Sequence, residues 1–223
     1  MSQLIYCGHQ KVVSAAKFLS KLRWIRRRSL NSALLISLIA LATAGQKAQA
    51  ETQNQSIVAT GSTFVSEVAP DENYAGREAL EISMIGAPRQ ALIVWDLSAI
   101  PEGALITSAK ITLSGSYVLQ LPDGAVYLSM HQITSPWDES SVTWNDKPSV
   151  GEPVQSVPVS SEDPSRSYIY SSLELLSLVQ EWHRGSRDNH GVYVLSDNAG
   201  LIGLHSSRIL HLAPLLEVTY QLP

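Results

Sequence analysis

Four short segments of this chain alternate apolar and polar residues with a period of two. Leu80, Ile82 and Met84 are separated by Glu81 and Ser83, and Ala109, Ile111 and Leu113 by Lys110 and Thr112. Val126, Leu128 and Met130 are separated by Tyr127 and Ser129, and Leu216, Val218 and Tyr220 by Glu217 and Thr219. Successive side chains of an extended strand point to opposite faces, so each segment predicts a strand with one face buried and one wet. The run from Ala91 to Leu97 is nearly all apolar and predicts a central strand covered on both faces. Ile100-Pro101-Glu102-Gly103, Leu121-Pro122-Asp123-Gly124 and Asp188-Asn189-His190-Gly191 are turn signals. Many short strands joined by Gly and Pro turns predict an all-β domain, a sandwich or jelly roll.

One segment has a different period. Leu175, Leu178, Val179 and Trp182 fall on one stripe of a helix. This predicts a short helix from about Leu173 to His183, with Ser171 and Glu174 as a capping box and Gly185 as its stop, lying over an open end or edge of the sandwich.

Charge divides the chain in two. Residues 1–50 carry eight Lys or Arg and no acid, whereas all twenty Asp and Glu lie beyond position 50. Within that head, Arg26-Arg27-Arg28 precedes an apolar stretch from Ala33 to Ala44, and then comes Ala48-Gln49-Ala50, a small-x-small triplet. That order is the one found in a secretory signal peptide. The apolar stretch falls short of the ~20 residues that span a bilayer, so an uncleaved anchor is the weaker alternative. The expectation is therefore a removed segment 1–50 and one domain over 51–223, secreted to the periplasm or the extracellular medium with no stable membrane insertion. With eight basic and twenty acidic residues, that domain has a formal charge of −12. Such a balance argues against nucleic acid as a partner, because phosphates demand a basic face. The single Cys7 lies in the head, so the domain contains neither disulfide nor thiol chemistry.

The densest cluster of functional side chains is 135–148, with Trp137, Trp144, Asp138, Glu139 and Asp146 in fourteen residues. Indole faces stack on sugar rings and carboxylates accept sugar hydroxyls. The same block also suits a loop pinned to the core by buried indoles, with its acids capping turns. Asp71-Glu72-Asn73 and Asp188-Asn189 are candidates for calcium, which requires six to eight oxygens, but neither has the spacing of an EF-hand loop. His131, His183, His190, His205 and His211 show no metal-binding spacing, and there is neither a G-x-S-x-G elbow nor a phosphate-binding glycine loop. No motif reaches the level of an enzyme signature.

The order of four stretches resembles the DNRLRE domain, which overlaps carbohydrate-binding module family 96. They are Thr63-Phe64-Val65 followed by Asn73-Tyr74-Ala75-Gly76; Arg89 to Ser98 with Ile100-Pro101 and Ile106 to Ala109; Trp137 to Asn145 with Pro148; and Val179 to Trp182 with Gly185, Asn189 to Gly191 and Pro214 to Tyr220. The resemblance runs from about Ser56 to Tyr220. Two departures stand out: Ala75 is inserted where the family reads N-Y-G, and Arg208 stands where the family tends to place a Glu. The resemblance implies a noncatalytic jelly-roll β-sandwich on secreted or surface proteins, some of whose relatives bind acidic polysaccharides such as alginate. It makes Tyr74, Arg89 and Trp137 the glycan-binding candidates, with Tyr74 stacking on a ring and Arg89 forking onto a sugar carboxylate. Arg89 paired structurally with Asp71 or Glu72 is the competing reading. Asp71 and Asn73 are the candidates for a calcium site, calcium being the only cofactor considered. A structural or adhesive surface module and a polysaccharide-degrading enzyme are the rival functions.

Overall fold

The computed structural model describes residues 50–84, 86–119, 126–159, 169–197 and 200–223. The segment 1–49 and the turn at 121–124 lie outside the described residues, and so does the signal-peptide expectation. Residues Ala50–Pro223 form one compact unit, and two antiparallel sheets build it. The first has the order β1 (Thr52–Val58), β11 (Leu215–Gln221), β5 (Leu105–Leu119), β10 (Leu201–His205), β3 (Ala79–Ile82), with β8 (Ile169–Glu174) also pairing on β5. The second has the order β2 (Gly61–Ser66), β4 (Arg89–Val94), β9 (Val192–Ser196), β6 (Val126–Ile133), β7 (Val150–Val159). From β1 to β6 the chain changes sheet at every step, which is how a jelly roll interleaves its layers. The all-β sandwich expected from the sequence is what forms. β7 is an edge strand carrying Pro153 and Pro158, residues that cannot donate to a further strand.

The period-two segments place their apolar members as expected. Leu80, Ile82, Ala109, Ile111, Leu113, Leu128, Met130, Leu216, Val218 and Tyr220 are all buried between the sheets. Met84 departs from the pattern: β3 ends at Ile82, so Met84 lies past the strand and is exposed. The apolar run in β4 is covered on both faces. Ala91, Ile93 and Trp95 enter the inter-sheet core, whereas Leu92 belongs to a second, outer cluster with Val65, Ile133, Val142 and Tyr193.

The helix, α1 (Leu176–His183), buries Leu178, Val179 and Trp182 and packs against β5. It begins later than its sequence pattern predicts. Ser171 and Glu174 belong to β8 and precede the N-cap, which is Leu175 and makes no side-chain cap. Leu175 instead donates its backbone N–H to the Ala109 carbonyl of β5. Strand pairing with β5 has claimed the residues that local propensity assigned to the first helical turn. Gly185 follows the helix as expected, at φ 67°.

Candidate functional site

The loop 135–148 covers the outer face of the second sheet. Val142 is buried in the outer cluster, and Trp137 and Trp144 pack half-buried against it. The Trp137 indole N–H donates to the His190 carbonyl at 2.7 Å, and Tyr193 donates its hydroxyl to the Pro148 carbonyl at 2.9 Å. Lys147 Nζ lies 3.6 Å from the centroid of the Trp144 ring. The acids cap turns: Asp138 accepts from Ser140 Oγ and N, and Asp146 from Thr143 Oγ1 and N. These bonds, the hydroxyl ones foremost, hold both carboxyls below their usual range. Of the two readings of this block, the pinned loop with acid-capped turns describes its geometry, except that the indoles are half-buried rather than buried.

A second loop is stitched onto this one. Asn73 Nδ2 donates to the carbonyls of Glu139 and Val142 at 2.9 and 2.8 Å, and Asn73 Oδ1 accepts from the Ala75 N–H. Asp71 Oδ1 accepts from Asn145 Nδ2 at 2.7 Å. Asp71 Oδ1 and Asn73 Oδ1 are therefore taken by hydrogen bonds within the loops, and Asn73 aims its amide nitrogen, not its oxygen, at the neighbouring carbonyls. Among the described residues no cluster of three or more His, Cys, Asp or Glu could hold a metal. Arg208 at the departing position pairs its guanidinium with Glu139 at 3.0 Å.

Tyr74 and Arg89 line one open groove of about 570 Å³, together with Phe64, Arg77, Glu78 and Glu81. The Tyr74 ring stacks on Phe64, with centroids 4.2 Å apart and planes at 24°. The ring is thus held from behind by a core residue. Arg89 does not pair with Asp71 or Glu72 as the competing reading supposed. Its Nε lies 3.0 Å from Glu81 Oε2 as an ion pair, and Glu72 instead lies 3.9 Å from Arg77. The reason is geometric: a backbone bridge between Ser83 and Arg89 sets the start of β4 beside the end of β3, next to Glu81. Tyr117 donates its hydroxyl to Glu81 Oε1 at 3.0 Å. Burial, and then the bond to Glu81, push the Tyr117 pKa up.

Trp137 does not join this groove. It lines a separate recess of about 310 Å³ with Thr60, Gly61, Asn189 and His190, and the two share no lining residue. Sequence reasoning missed Phe64, Arg77, Glu81 and Tyr117. The alternation already pointed Glu81 outward, opposite Leu80 and Ile82. Tyr117 was harder to find, because the pairing of β10 with β5 shifts register between Gly203 and Leu204 and breaks the period that would have placed it.

The two-sheet sandwich thus carries an open groove lined by both an aromatic residue and a guanidinium. Residues 53–220 match the family model of carbohydrate-binding module family 96, and the chain belongs to that family. Comparison with curated proteins finds no match.

Proposed function

We propose that the protein is an exported, noncatalytic module that binds acidic polysaccharide in the Tyr74–Arg89 groove, at or outside the cell envelope. The observation that carries this reading is the pairing of a pre-stacked aromatic ring with arginine in one open groove. The ring meets the C–H face of a sugar, and the guanidinium recognises a uronate carboxylate or ring hydroxyls. Membership of the family supports carbohydrate as the ligand class. The basic run, apolar stretch and Ala48-Gln49-Ala50 triplet support export, and N-terminal sequencing of the processed protein should begin at Glu51.

The binding test is a calorimetric titration of residues 51–223 with oligouronates and with neutral oligosaccharides. Retention of oligouronates by the wild type, and its loss in Tyr74→Ala and Arg89→Gln, is expected. If no polysaccharide is retained at millimolar concentration, the groove reading falls and the structural or adhesive role takes its place. Release of reducing ends from any acidic polysaccharide would overturn the noncatalytic reading. Glu78 and Glu81 both line the groove, so this control is needed.

A further inference from the structure

Three residues behind the groove form one lateral row across three strands. Tyr117 on β5 is the cross-strand partner of Gly203 on β10, and Gly203 is the partner of Glu81 on β3. Their neighbours Val118, Ile202, Leu204, Leu80 and Ile82 all enter the core, so the row faces outward. Gly203 is what lets the row close. A Cβ built there would lie 2.5 Å from Tyr117 Cε1 and 2.6 Å from its Cζ, so the phenol ring lies across the glycine backbone. Crossing that strand brings the hydroxyl to Glu81 Oε1, and the other oxygen of the same carboxylate forms an ion pair with Arg89, 3.0 Å from its Nε. Glu81 and Arg89 line the groove, whereas Tyr117 is not among its lining residues.

We propose that Tyr117 is a positioning residue for carboxylate recognition: through Glu81 it fixes the Arg89 guanidinium, with Nε turned to the protein and the Nη edge left for the sugar. This rests on the groove being the glycan site. A side chain held by one edge presents the remaining donors in a single orientation, which lowers the ordering cost on binding. Without the hydroxyl, Arg89 is the one partner left to the Glu81 carboxylate among the described residues, and the pair can rotate together.

The test has a ligand-free arm and a binding arm. In the first, the Arg89 Nε–H resonance is followed by ¹⁵N NMR and assigned by its loss in Arg89→Lys. The resonance is expected to be protected from exchange in the wild type. It should broaden or exchange at least severalfold faster in Tyr117→Phe. Gly203→Ala, which keeps the hydroxyl but displaces the ring, should act in the same way. In the second arm, Tyr117→Phe should weaken binding of tetrauronates roughly three- to tenfold, less than the full worth of one bond to a charged group because the hydroxyl acts on Arg89 only through Glu81. It should lower the melting temperature by only a few degrees, leave the binding of neutral tetrasaccharides unchanged, and add no further loss in an Arg89→Gln background. An Arg89 resonance indifferent to Tyr117→Phe overturns the proposal whether or not glycan binds, and so does equal uronate affinity of the two proteins. A responsive resonance in a wild type that retains no uronate overturns the groove reading instead and leaves Tyr117 a positioning residue without that ligand.

Discussion

Replacing Asn73 with Asp tests whether this side chain is a clasp or a cation ligand, because the two roles predict opposite signs. Asn73 makes three bonds: two from Nδ2 to the carbonyls of Glu139 and Val142, and one from the Ala75 N–H to Oδ1. Each such bond contributes about 0.5–1.5 kcal/mol net, so Asn73→Ala should cost about 2–3 kcal/mol after allowing for partial solvent access. In a domain of this size that lowers the melting temperature by roughly 5–10 °C. Asn73→Asp keeps the Ala75 bond but turns an oxygen toward two carbonyl oxygens at 2.8–2.9 Å. An acceptor facing acceptors leaves all three without a donor, so Asp should be worse than Ala by about 1–3 kcal/mol despite its nearly identical shape. A calcium ligand would behave the other way, since an added carboxylate strengthens the site. The assay is thermal unfolding of wild type, Asn73→Ala and Asn73→Asp, monitored by tryptophan fluorescence, in EDTA and in millimolar calcium chloride. Asn73→Asp more stable than Asn73→Ala, or rescued by calcium, would refute the clasp.

Gly191→Ala should be the most damaging single-methyl change in the domain: Gly191 has φ 82°, and an added Cβ would lie 2.0 Å from the Ile93 carbonyl oxygen. Loss of soluble protein, or a cost above about 3 kcal/mol, is expected, whereas Gly103→Ala, with a similar φ of 77° but nothing within 4 Å, should cost only about 1 kcal/mol; equal melting temperatures would refute the contrast. Acid should act in two windows. His205 is held below its usual pKa by burial first and by His211 second, with Glu78 opposing. Because its folded pKa is depressed, its contribution is fully present above about pH 6.5 and fades as pH falls through the folded value; His205→Asn should flatten the melting temperature in that range. Asp138 and Asp146, also depressed, contribute fully above about pH 4 and lose that contribution below it. The tryptophan signal of the 135–148 loop should therefore move only as pH falls below about 4, and an unchanged spectrum would count against the turn-capping role.

The strands were legible because period two is a local property of β structure and because burial is one-sided. The two-sided cover over β4 could be read from the unbroken run Ala91 to Leu97, but not what supplies the outer layer. That layer comes from Val142 and the half-buried Trp137 and Trp144 of a loop about fifty residues downstream. The helix stripe was legible and its start was not, since Ser171 and Glu174 satisfy a capping pattern locally while β5 recruits their backbone into a strand. The two residues that the resemblance paired, Tyr74 and Arg89, line one groove. The resemblance could not supply Glu81 as the Arg89 partner, because that pair depends on where β3 ends and β4 begins. Trp137 could be read two ways from the sequence, because an indole suits a sugar platform and a loop anchor equally well; its bond to the His190 carbonyl and its packing on the outer cluster are tertiary features that no local pattern carries.

Charge poses the remaining problem for an acidic ligand. A domain of formal charge −12 repels a polyanion, yet the groove offers it Arg77 and Arg89. The two effects act over different distances. Repulsion from the whole domain is screened beyond about 8 Å at physiological ionic strength and reaches about 30 Å at 0.01 M salt. Contact between a carboxylate and the Arg89 Nη edge is short-range, and Arg89 is only about a quarter exposed, so salt weakens it less. Raising salt from very low levels should therefore first strengthen oligouronate binding, as the repulsion is screened, and weaken it only at higher concentration. Longer oligouronates, which carry more charge into the unfavourable outer field, should show the larger initial rise. Measured affinities that fall steadily from the lowest salt upward, as for a ligand on a basic face, would mean that the uronate is recognised somewhere other than this groove.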